Sequence, residues 1–397
     1  MQVIDGTAVF GTHDANTLEQ MREVNKHAKY TALMADGHLG YEMPIGGVAA
    51  YPNLVSVAGV GFDIACGNCA IKTDITDVTM QPYYKEIADV INGEFAFGVG
   101  GINTHFAAPV NHPLFKDKRW DIVPMEHRPA LRDKARNQLG TIGSGNHYVD
   151  VFTDEDGYIW VGVHFGSRGF GHTVASNFMA LSQGEVWGKK VKEGGPLLVL
   201  GDTEIGTNYW DMMQLCGDYA HAGRHWVATQ VVRLMGGNVL DTVHNNHNFA
   251  WLEKHAGQEL VVVRKGATPA WPGQQGFIGG SMGDDAVIVE GAMGEFNPWQ
   301  IAAMYSTVHG AGRVMSRTQA AGKRNRKTGE LKTPGRISQM MMDNWMDGKH
   351  VELRGGGLDE APQAYRRLPD VLEAQDGTVN VLHTLTPRIV VMAERGK

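Results

Sequence analysis

Histidine, aspartate and cysteine recur inside glycine-rich stretches of this 397-residue sequence, which contains 17 histidines and 51 glycines. Glycine permits tight turns but loses much conformational entropy on folding, so its repeated use beside reactive side chains indicates a functional site. Taken singly, each stretch also fits a buried turn or a hydrogen-bonded core histidine. The five stretches are 59–69, 140–150, 163–169, 244–251 and 309–317.

Four of these stretches carry side chains that could bind a metal ion. Carboxylate, thiolate and imidazole together form a mixed ligand set that suits Mn²⁺ or Zn²⁺. Five ligands are too many for one catalytic ion and few for two, unless the thiolate bridges a pair suited to phosphoryl chemistry. In HNNHNFAW one histidine could be a ligand while the other is merely solvated. The candidate ligands are Asp63, Cys66, His147, His164 and His247.

The fifth stretch, HGAGRVMSR, places His309 before a Gly-Ala-Gly turn that is followed by Arg313 and Arg317. A turn of small residues lets an imidazole nitrogen approach phosphorus, and nearby cations stabilise charge on the transferring group. We therefore predict that His309 is a nucleophile toward a phosphate. The sequence has no GxxxxGK[ST] loop and no strand–GxGxxG–helix unit, so a nucleotide would have to be bound in another way.

Basic side chains near these turns are candidates for phosphate contacts. Arg168 follows a strand-like run, and a guanidinium can bind phosphate in a bidentate manner. The stretch 313–336 contains eight basic residues and a single acid, Glu330. A solvated basic loop explains this stretch equally well. The net charge of −7 argues weakly against nucleic acid, although a local basic surface matters more.

Two further patterns are interpreted as structural. His221 and His225 are four residues apart on a predicted helix, a spacing compatible with metal binding. They lack the glutamate of a zinc protease, and we interpret them as surface histidines. Cys66 and Cys69 have CxxC spacing, but glycines and Asn68 stand where a redox motif needs a helix start.

Composition is that of an ordinary globular protein, with 43% apolar and 20% charged residues. No apolar run reaches the roughly 18 residues of a membrane span, and the N-terminus lacks a signal-peptide pattern. Three cysteines are too few for a disulfide framework, so we expect a reducing cytoplasm. Interleaved patterns predict one α+β domain with mixed sheets. The main predicted helices cover 14–29 and 209–235, and the predicted strands cover 161–166, 196–201, 260–266 and 286–291.

Taken together, these motifs resemble the RtcB family of RNA ligases. The matching stretches run in order from about Asp36, in ADGHLG, to the end of the sequence. They are GVGFDIACG, GTIGSGNH, VHFGSRG, HNNHNFA, RKGATPAW, GSMG, HGAGRVMSR and DEAPQAYR. HGAGR followed by MSR is highly specific. The resemblance implies an RtcB-like α+β fold in one catalytic domain, 1–397, whose mixed sheets line a deep metal and nucleotide cleft flanked by helices.

The resemblance also implies an activity. RNA ends with a 3′-phosphate or 2′,3′-cyclic phosphate would be joined to 5′-hydroxyl ends, in RNA repair or tRNA splicing. GTP would form a histidine–GMP adduct on His309, with two Mn²⁺ ions sharing Cys66. Arg168, Arg313 and Arg317 would contact RNA phosphates. An archease-type activator is a further expected partner, and no membrane contact is expected. Nucleotide contacts would come from Asn146, His147, Tyr148, Val149, Asp150, His247, Asn248, Gly280, Ser281, Met282, His309, Gly310, Ala311 and Gly312.

Several positions depart from the family pattern. Ala65 and Asn68 stand where the family usually has glycine and methionine, and Ala286 replaces a serine that touches the nucleotide in many relatives. AYRR at 364–367 replaces Ala-Tyr-Lys-Asp. The C-terminus puts Glu394 near the position of a guanine-recognising lysine. A carboxylate could also accept hydrogen bonds from guanine, so we expect GTP rather than ATP.

Two other functions fit the same residues. A metal-dependent phosphoesterase or cyclic phosphodiesterase would use the same ligands without forming an adduct, but it has no need of His309. A catalytically inactive protein that binds RNA ends is the second alternative. Against it, every candidate ligand and the candidate nucleophile are intact.

Overall fold

Two large β-sheets and one long helix that packs against both form the framework of the chain. The computed structural model describes residues 1–294, 296–325, 328 and 330–394. In chain order the strands are β1 (Gln2–Ile4), β2 (Thr7–Val9), β3 (Tyr30–His38), β4 (Ile45–Tyr51), β5 (Leu54–Val55), β6 (Gly67–Thr76), β7 (Tyr148–Thr153), β8 (Tyr158–Phe165), β9 (Leu198–Val199), β10 (Val239–Asn246), β11 (Asn248–His255), β12 (Gln258–Lys265), β13 (Ala267–Pro269), β14 (Gln275–Ile278), β15 (Ala286–Gly291), β16 (Ser306–Val308), β17 (Lys323–Arg324), β18 (Leu331–Thr333), β19 (Glu352–Arg354) and β20 (Val379–Met392).

Helices occur between the strands along the whole chain. The α-helices are α1 (Ala15–Asn25), α2 (Val57–Val60), α3 (Asp77–Met80), α4 (Tyr84–Glu94), α5 (Arg128–Gln138), α6 (Arg168–Ser182), α7 (Glu204–Leu234), α8 (Pro298–Ala302), α9 (Arg317–Ala321), α10 (Gln339–Met346) and α11 (Leu368–Ala374). Short 3₁₀ helices cover Gln81–Tyr83, Pro113–Lys116, Lys118–Ile122 and Pro362–Ala364. Among the described helices, none combines the length and apolar character needed to cross a membrane.

The two sheets are joined at a single residue. Sheet A has the strand order β1-β2-β3-β4-β12-β11, and sheet B has the order β10-β6-β8-β7-β20-β15-β14, with β19 beside β20. Strand β10 is an edge strand of sheet B, and β11 is an edge strand of sheet A. Only His247 lies between these two strands in the sequence. The chain therefore passes from one sheet to the other at a candidate metal ligand. The predicted α+β class with mixed sheets is confirmed.

Most of the predicted elements are present. The helix predicted at 14–29 is α1, which ends at Asn25, and the helix predicted at 209–235 is α7, which begins earlier at Glu204. The strand predictions at 161–166, 260–266 and 286–291 correspond to β8, β12 and β15. The strand predicted at 196–201 is wrong except for Leu198–Val199, because only these two residues find a partner, in β5.

Helix α7 packs against both sheets because its apolar residues face different partners along its length. Tyr209 and Met213 lie in a core that includes Val263 of sheet A. Further along, Val227 packs in a second core with Val163 of sheet B. The side chain of Thr203 caps the start of the helix. This helix therefore fixes the position of one sheet relative to the other.

A fully buried arginine of α7 reaches the point where the sheets meet. Arg224 Nη1 donates to the carbonyl oxygens of Ala65 at 2.8 Å and Phe165 at 2.7 Å. Its Nη2 donates to Oδ1 of Asn246 at 2.5 Å. Burying a charge is costly unless hydrogen bonds compensate it, and three acceptors do so here. The three acceptors belong to segments that carry candidate metal ligands.

We predict that Arg224→Met lowers the free energy of unfolding by about 3–5 kcal/mol, since it leaves buried carbonyl groups without a donor. Urea unfolding followed by circular dichroism measures the change. Arg233 is exposed on the same helix, and Arg233→Met should change stability by no more than about 0.5 kcal/mol. Equal effects of the two substitutions would contradict this role for Arg224.

Candidate active site

Three candidate ligands converge on the thiol of Cys66. Its Sγ lies 3.7 Å from Nε2 of His147 and 3.5 Å from Nε2 of His164. Asp63 adds a carboxylate, with Oδ2 at 3.0 Å from Nε2 of His147. The structure thus brings together side chains that the sequence separates by about 100 residues, as the metal-site prediction requires.

His247, the fifth candidate ligand, lies between this cluster and His309. Its ring centroid is 5.1 Å from that of His164 and 4.8 Å from that of His309. Its backbone N–H donates to the carbonyl of Cys66 at 2.8 Å. Within the described part of the chain, its buried Nδ1 has no hydrogen-bond partner. An unsatisfied imidazole nitrogen on a ring that stacks against His164 fits a metal ligand.

Glycines make these close approaches sterically feasible. A Cβ at Gly166 would lie 2.3 Å from the Asp63 carboxylate, and a Cβ at Gly143 would lie 2.1 Å from the Arg168 guanidinium. A larger residue at either position would displace a charged group of the site. The glycine-rich turns noted in the sequence therefore serve close packing around the cluster.

Ala65 adopts a left-handed conformation, with φ of 57°. This conformation costs an L-residue with a Cβ about 1–2 kcal/mol. The family usually has glycine at this position, which would adopt the conformation without that cost. The turn is held in place because the Ala65 N–H donates to the Asn248 carbonyl at 2.7 Å. Ser167 Oγ also donates to the Ile64 carbonyl at 2.6 Å.

Neighbouring groups orient two of the imidazole rings. The amide of Asn68 donates through Nδ2 to the Phe277 carbonyl at 3.1 Å, so its Oδ1 accepts from Nδ1 of His164 at 2.8 Å. His147 donates through Nδ1 to the Ile142 carbonyl at 3.0 Å. His164 therefore presents an unprotonated Nε2 toward Cys66, which is the tautomer that binds a metal, whereas Nε2 of His147 also faces the Asp63 carboxylate and would have to give up its proton to a metal ion.

Burial and neighbouring charges set the pKa values of the side chains in the cluster. It lowers the pKa values of His164 and His247, so both are neutral. Burial alone would raise the pKa of Asp63, but His147 and Arg168 outweigh it and hold this pKa at about 2. Burial and the Asp63 charge raise the pKa of the Cys66 thiol. A divalent cation would reverse that effect by displacing the thiol proton.

His309 follows β16 and contacts a buried carboxylate from the other end of the sequence. Oδ2 of Asp36 lies 2.5 Å from Nδ1 of His309 and accepts the backbone N–H of His309 at 3.1 Å. Asp36 is fully buried in β3, and its own carbonyl accepts from Nη1 of Arg366 at 3.1 Å. Because Nδ1 faces Asp36, Nε2 is the nitrogen left to react.

Only some of the residues predicted to contact the nucleotide lie beside the candidate metal ligands. Tyr148 stacks on His164 with centroids 5.3 Å apart, and Nδ2 of Asn146 lies 3.4 Å from Nε2 of His164. Asn248 donates to the Asp63 carbonyl at 3.4 Å. By contrast, Val149 and Asp150 are buried in β7, which is paired on both sides.

The other two predicted nucleotide segments adjoin each other. An isolated bridge joins Gly279 to Gly310, so the turn Gly280–Ser281–Met282 lies beside the turn that follows His309. Ser281 donates to Asp284 at 2.5 Å. Residues 395–397, which include part of the divergent C-terminus, lie outside the described residues.

The three arginines predicted to contact RNA differ in their surroundings. The Arg168 guanidinium lies 3.3 Å from Nδ1 of His147, beside the cluster. Arg317 is about half exposed, with 53% of its side chain accessible, and its guanidinium adjoins Gly145. Both Arg313 and Arg317 donate to Glu360, at 2.8 Å and 2.5 Å, but Arg313 is less exposed, and its Nη2 also donates to the Asp359 carbonyl at 2.6 Å. Arg326 and Lys327 of the basic stretch lie outside the described residues.

Three residues that organise the site were not predicted from the sequence. Asp36 appeared only as the start of the family match, because its partner His309 lies 273 residues further along the chain. Arg224 lies between His221 and His225, the pair that we interpreted as surface histidines. Asn68 was noted as a departure, but its contact with His164 depends on strand pairing and gives no local signal.

Comparison with known proteins agrees with the motifs and the geometry. The family model for the tRNA-splicing ligase RtcB matches residues 17–393. An RNA-splicing ligase RtcB from Escherichia coli is 30% identical over 389 residues, covering 91% of this chain and 90% of the relative. A tRNA-splicing ligase RtcB from Archaeoglobus fulgidus is 30% identical over 454 residues, covering 94% and 88%. One from Thermococcus kodakarensis is 29% identical over 435 residues, covering 90% and 86%. The chain belongs to the RtcB family.

We predict that Asn68→Ala weakens Mn²⁺ binding by about 10–100-fold, since His164 loses the acceptor that orients its ring. Isothermal titration calorimetry measures the affinity. Asn68→Asp keeps an acceptor for Nδ1 of His164, so this variant should lose less Mn²⁺ affinity than Asn68→Ala. The exposed Asn92 supplies a control, Asn92→Ala. Binding by Asn68→Ala within about twofold of the unsubstituted protein would exclude this role for Asn68.

Proposed function

We propose that this chain is an RNA ligase that joins 3′-phosphate or 2′,3′-cyclic phosphate ends to 5′-hydroxyl ends through a nucleotide carried on His309. The observation that carries the proposal is the position of His309. Its ring contacts the buried Asp36 carboxylate on one side and lies 4.8 Å from the His247 ring on the other. A hydrolase built on the same ligands would have no need of this arrangement. The names of the relatives, RNA-splicing and tRNA-splicing ligases, favour the same activity.

The donor set at Cys66 suits Mn²⁺, with Asp63, His147, His164 and His247 as the remaining ligands. When bound, Mn²⁺ would neutralise phosphate charge and hold the triphosphate in place. Two ions sharing Cys66 is the arrangement that the family resemblance implies. The protein contributes the neutral imidazoles of His164 and His247 and an Asp63 carboxylate that is ionised at neutral pH.

His309 is proposed to attack the α-phosphorus of GTP through Nε2. A nitrogen–phosphorus bond forms as the bond to pyrophosphate breaks, and positive charge develops on the ring. Asp36 at Nδ1 stabilises that charge and fixes the ring orientation, as the carboxylate of a Ser-His-Asp triad does. Water would first open a 2′,3′-cyclic end by breaking the bond between phosphorus and the 2′-oxygen, and an oxygen of the resulting 3′-phosphate then takes the GMP from His309. The 5′-hydroxyl oxygen of the other end finally attacks that 3′-phosphorus and releases GMP.

Arg168 and Arg317 are proposed to hold RNA phosphates at the entrance to the cluster. Both lie beside the glycine-rich turn that precedes His147, and guanidinium groups bind phosphate without reading base sequence. A requirement for an archease-type activator and a cytoplasmic location remain predictions from the resemblance. The preference for GTP over ATP is part of the proposal.

The first test is transfer of label from GTP carrying a radioactive α-phosphate, in the presence of Mn²⁺, to wild-type protein and to His309→Ala. We expect a protein-bound label that is labile to acid and stable to alkali in the wild type, and none in the variant. The same reaction with labelled ATP tests the nucleotide preference. Hydrolysis of cyclic phosphate ends without any protein label would overturn the proposal in favour of a phosphoesterase.

The second prediction concerns Asp36. Asp36→Asn should slow adduct formation by about 10²–10⁴-fold, since an amide can donate to Nδ1 and so favour the tautomer whose Nε2 carries the proton. The apparent KM for GTP should change little, because Asp36 faces His309 and not the nucleotide. Single-turnover labelling at several GTP concentrations separates the two constants. A change confined to KM would assign Asp36 to nucleotide binding instead.

A further inference from the structure

A second group of metal-ligating side chains lies outside the site described above. The donor atoms of Cys69, His225 and His244 all lie within 4.8 Å of one another. They come from β6, α7 and β10. His221 precedes His225 by one helical turn, and its ring stacks on that of His244 with centroids 3.9 Å apart. One thiol and three imidazoles therefore meet between a helix and a strand pair.

Strand pairing fixes two members of this group. Cys69 and His244 are directly opposite each other in the antiparallel ladder of β6 and β10. Residues opposite each other in such a ladder project their side chains to the same face. Helix α7 supplies His221 and His225 from one side of its surface, because residues four apart lie one above the other on a helix.

The polar atoms of the group are not satisfied by the protein. Among the described residues, neither buried ring nitrogen of His244 has a hydrogen-bond partner. Burial and the neighbouring His221 lower the pKa of His244 to about 2, so the ring is neutral. Burial raises the pKa of the Cys69 thiol to about 12. A buried imidazole without partners is costly in a folded protein, and a metal ion would provide the missing partner.

We propose that Cys69, His225 and His244 bind a zinc ion, with His221 as the fourth ligand, in a structural site separate from the nucleophile. Mixed sulfur and nitrogen donors in sets of four are characteristic of structural zinc. Zinc–ligand bonds of about 2.0–2.3 Å place tetrahedral donors about 3.4–3.7 Å apart. The three donor atoms already within 4.8 Å thus need only small side-chain movements. His221 and His225 are exposed, so the ion can enter from solvent.

Such an ion would reinforce the strand pair that carries the active-site ligands. Cys66 lies three residues before Cys69, and His247 lies three residues after His244. The neighbour of His225 in α7 is Arg224, which bonds to the carbonyl of Ala65 and to Asn246. Zinc would join α7, β6 and β10 immediately beside these contacts. The proposal does not depend on the ligase activity.

The test is zinc content by mass spectrometry in a background where the active-site cluster is disabled by Cys66→Ala and His164→Ala. We expect about one zinc per chain to remain after gel filtration in chelator-treated buffer. Adding His225→Ala should remove it, whereas the exposed control His27→Ala should not. Zinc should also raise the unfolding temperature of the background protein by several degrees, and not that of the His225→Ala variant.

Cobalt substitution provides an independent measurement on the full chain with an intact active-site cluster. Titration with Co²⁺ should give thiolate-to-cobalt charge-transfer absorption from both sites, which Cys69→Ser and Cys66→Ser each reduce in part and the double substitution abolishes. A background protein without zinc, or zinc content unaffected by His225→Ala, would overturn the proposal. A wild-type protein that retains this zinc but acquires no label from GTP on His309 would contradict only the proposed ligase function.

Discussion

The hydrogen bonds of one buried guanidinium hold together the segments that carry the candidate metal ligands. Arg224 donates to the turn before β6, to the end of β8 and to the end of β10. An ammonium group could not span three acceptors in this way, since the planar fork of arginine presents its donors in fixed directions. The convergence of Cys66, His164 and His247 therefore depends on a helix that contributes none of these ligands.

This arrangement has an electrostatic consequence. Arg224 places a positive charge near a site proposed to bind divalent cations. Its charge is partly offset by the carbonyl dipoles it contacts and by the Asp63 carboxylate. Neutral imidazoles add ligands without adding charge. A metal ion that replaces the thiol proton would convert Cys66 to a thiolate, whose negative charge offsets part of the charge that the ion brings.

Residue type and spacing in the sequence singled out the candidate ligands but not the residues that position them. Cys66, His147 and His164 stand in glycine-rich turns, where residue type and spacing are visible without a fold. Asp36 is invisible in that sense, because its partner His309 lies 273 residues away and its strand looks like ordinary core. The contact of Asn68 with His164 depends on which strands pair. The strand predicted at 196–201 is likewise reduced to Leu198–Val199, because its length depends on the partner strand β5 and not on the apolar pattern of the segment itself.

The long separation between Asp36 and His309 also bears on how the protein is made. During translation the Asp36 strand emerges early, but its carboxylate gains its partner only after more than three quarters of the chain has been synthesised. The backbone around Asp36 gains its partners later still, because the Asp36 carbonyl accepts from Arg366 and the Ala35 N–H donates to Gln375. Contacts of such high sequence separation form late and slow folding. An unfinished nascent chain therefore carries the Asp36 carboxylate without its histidine, and the pair can form only after His309 has been synthesised.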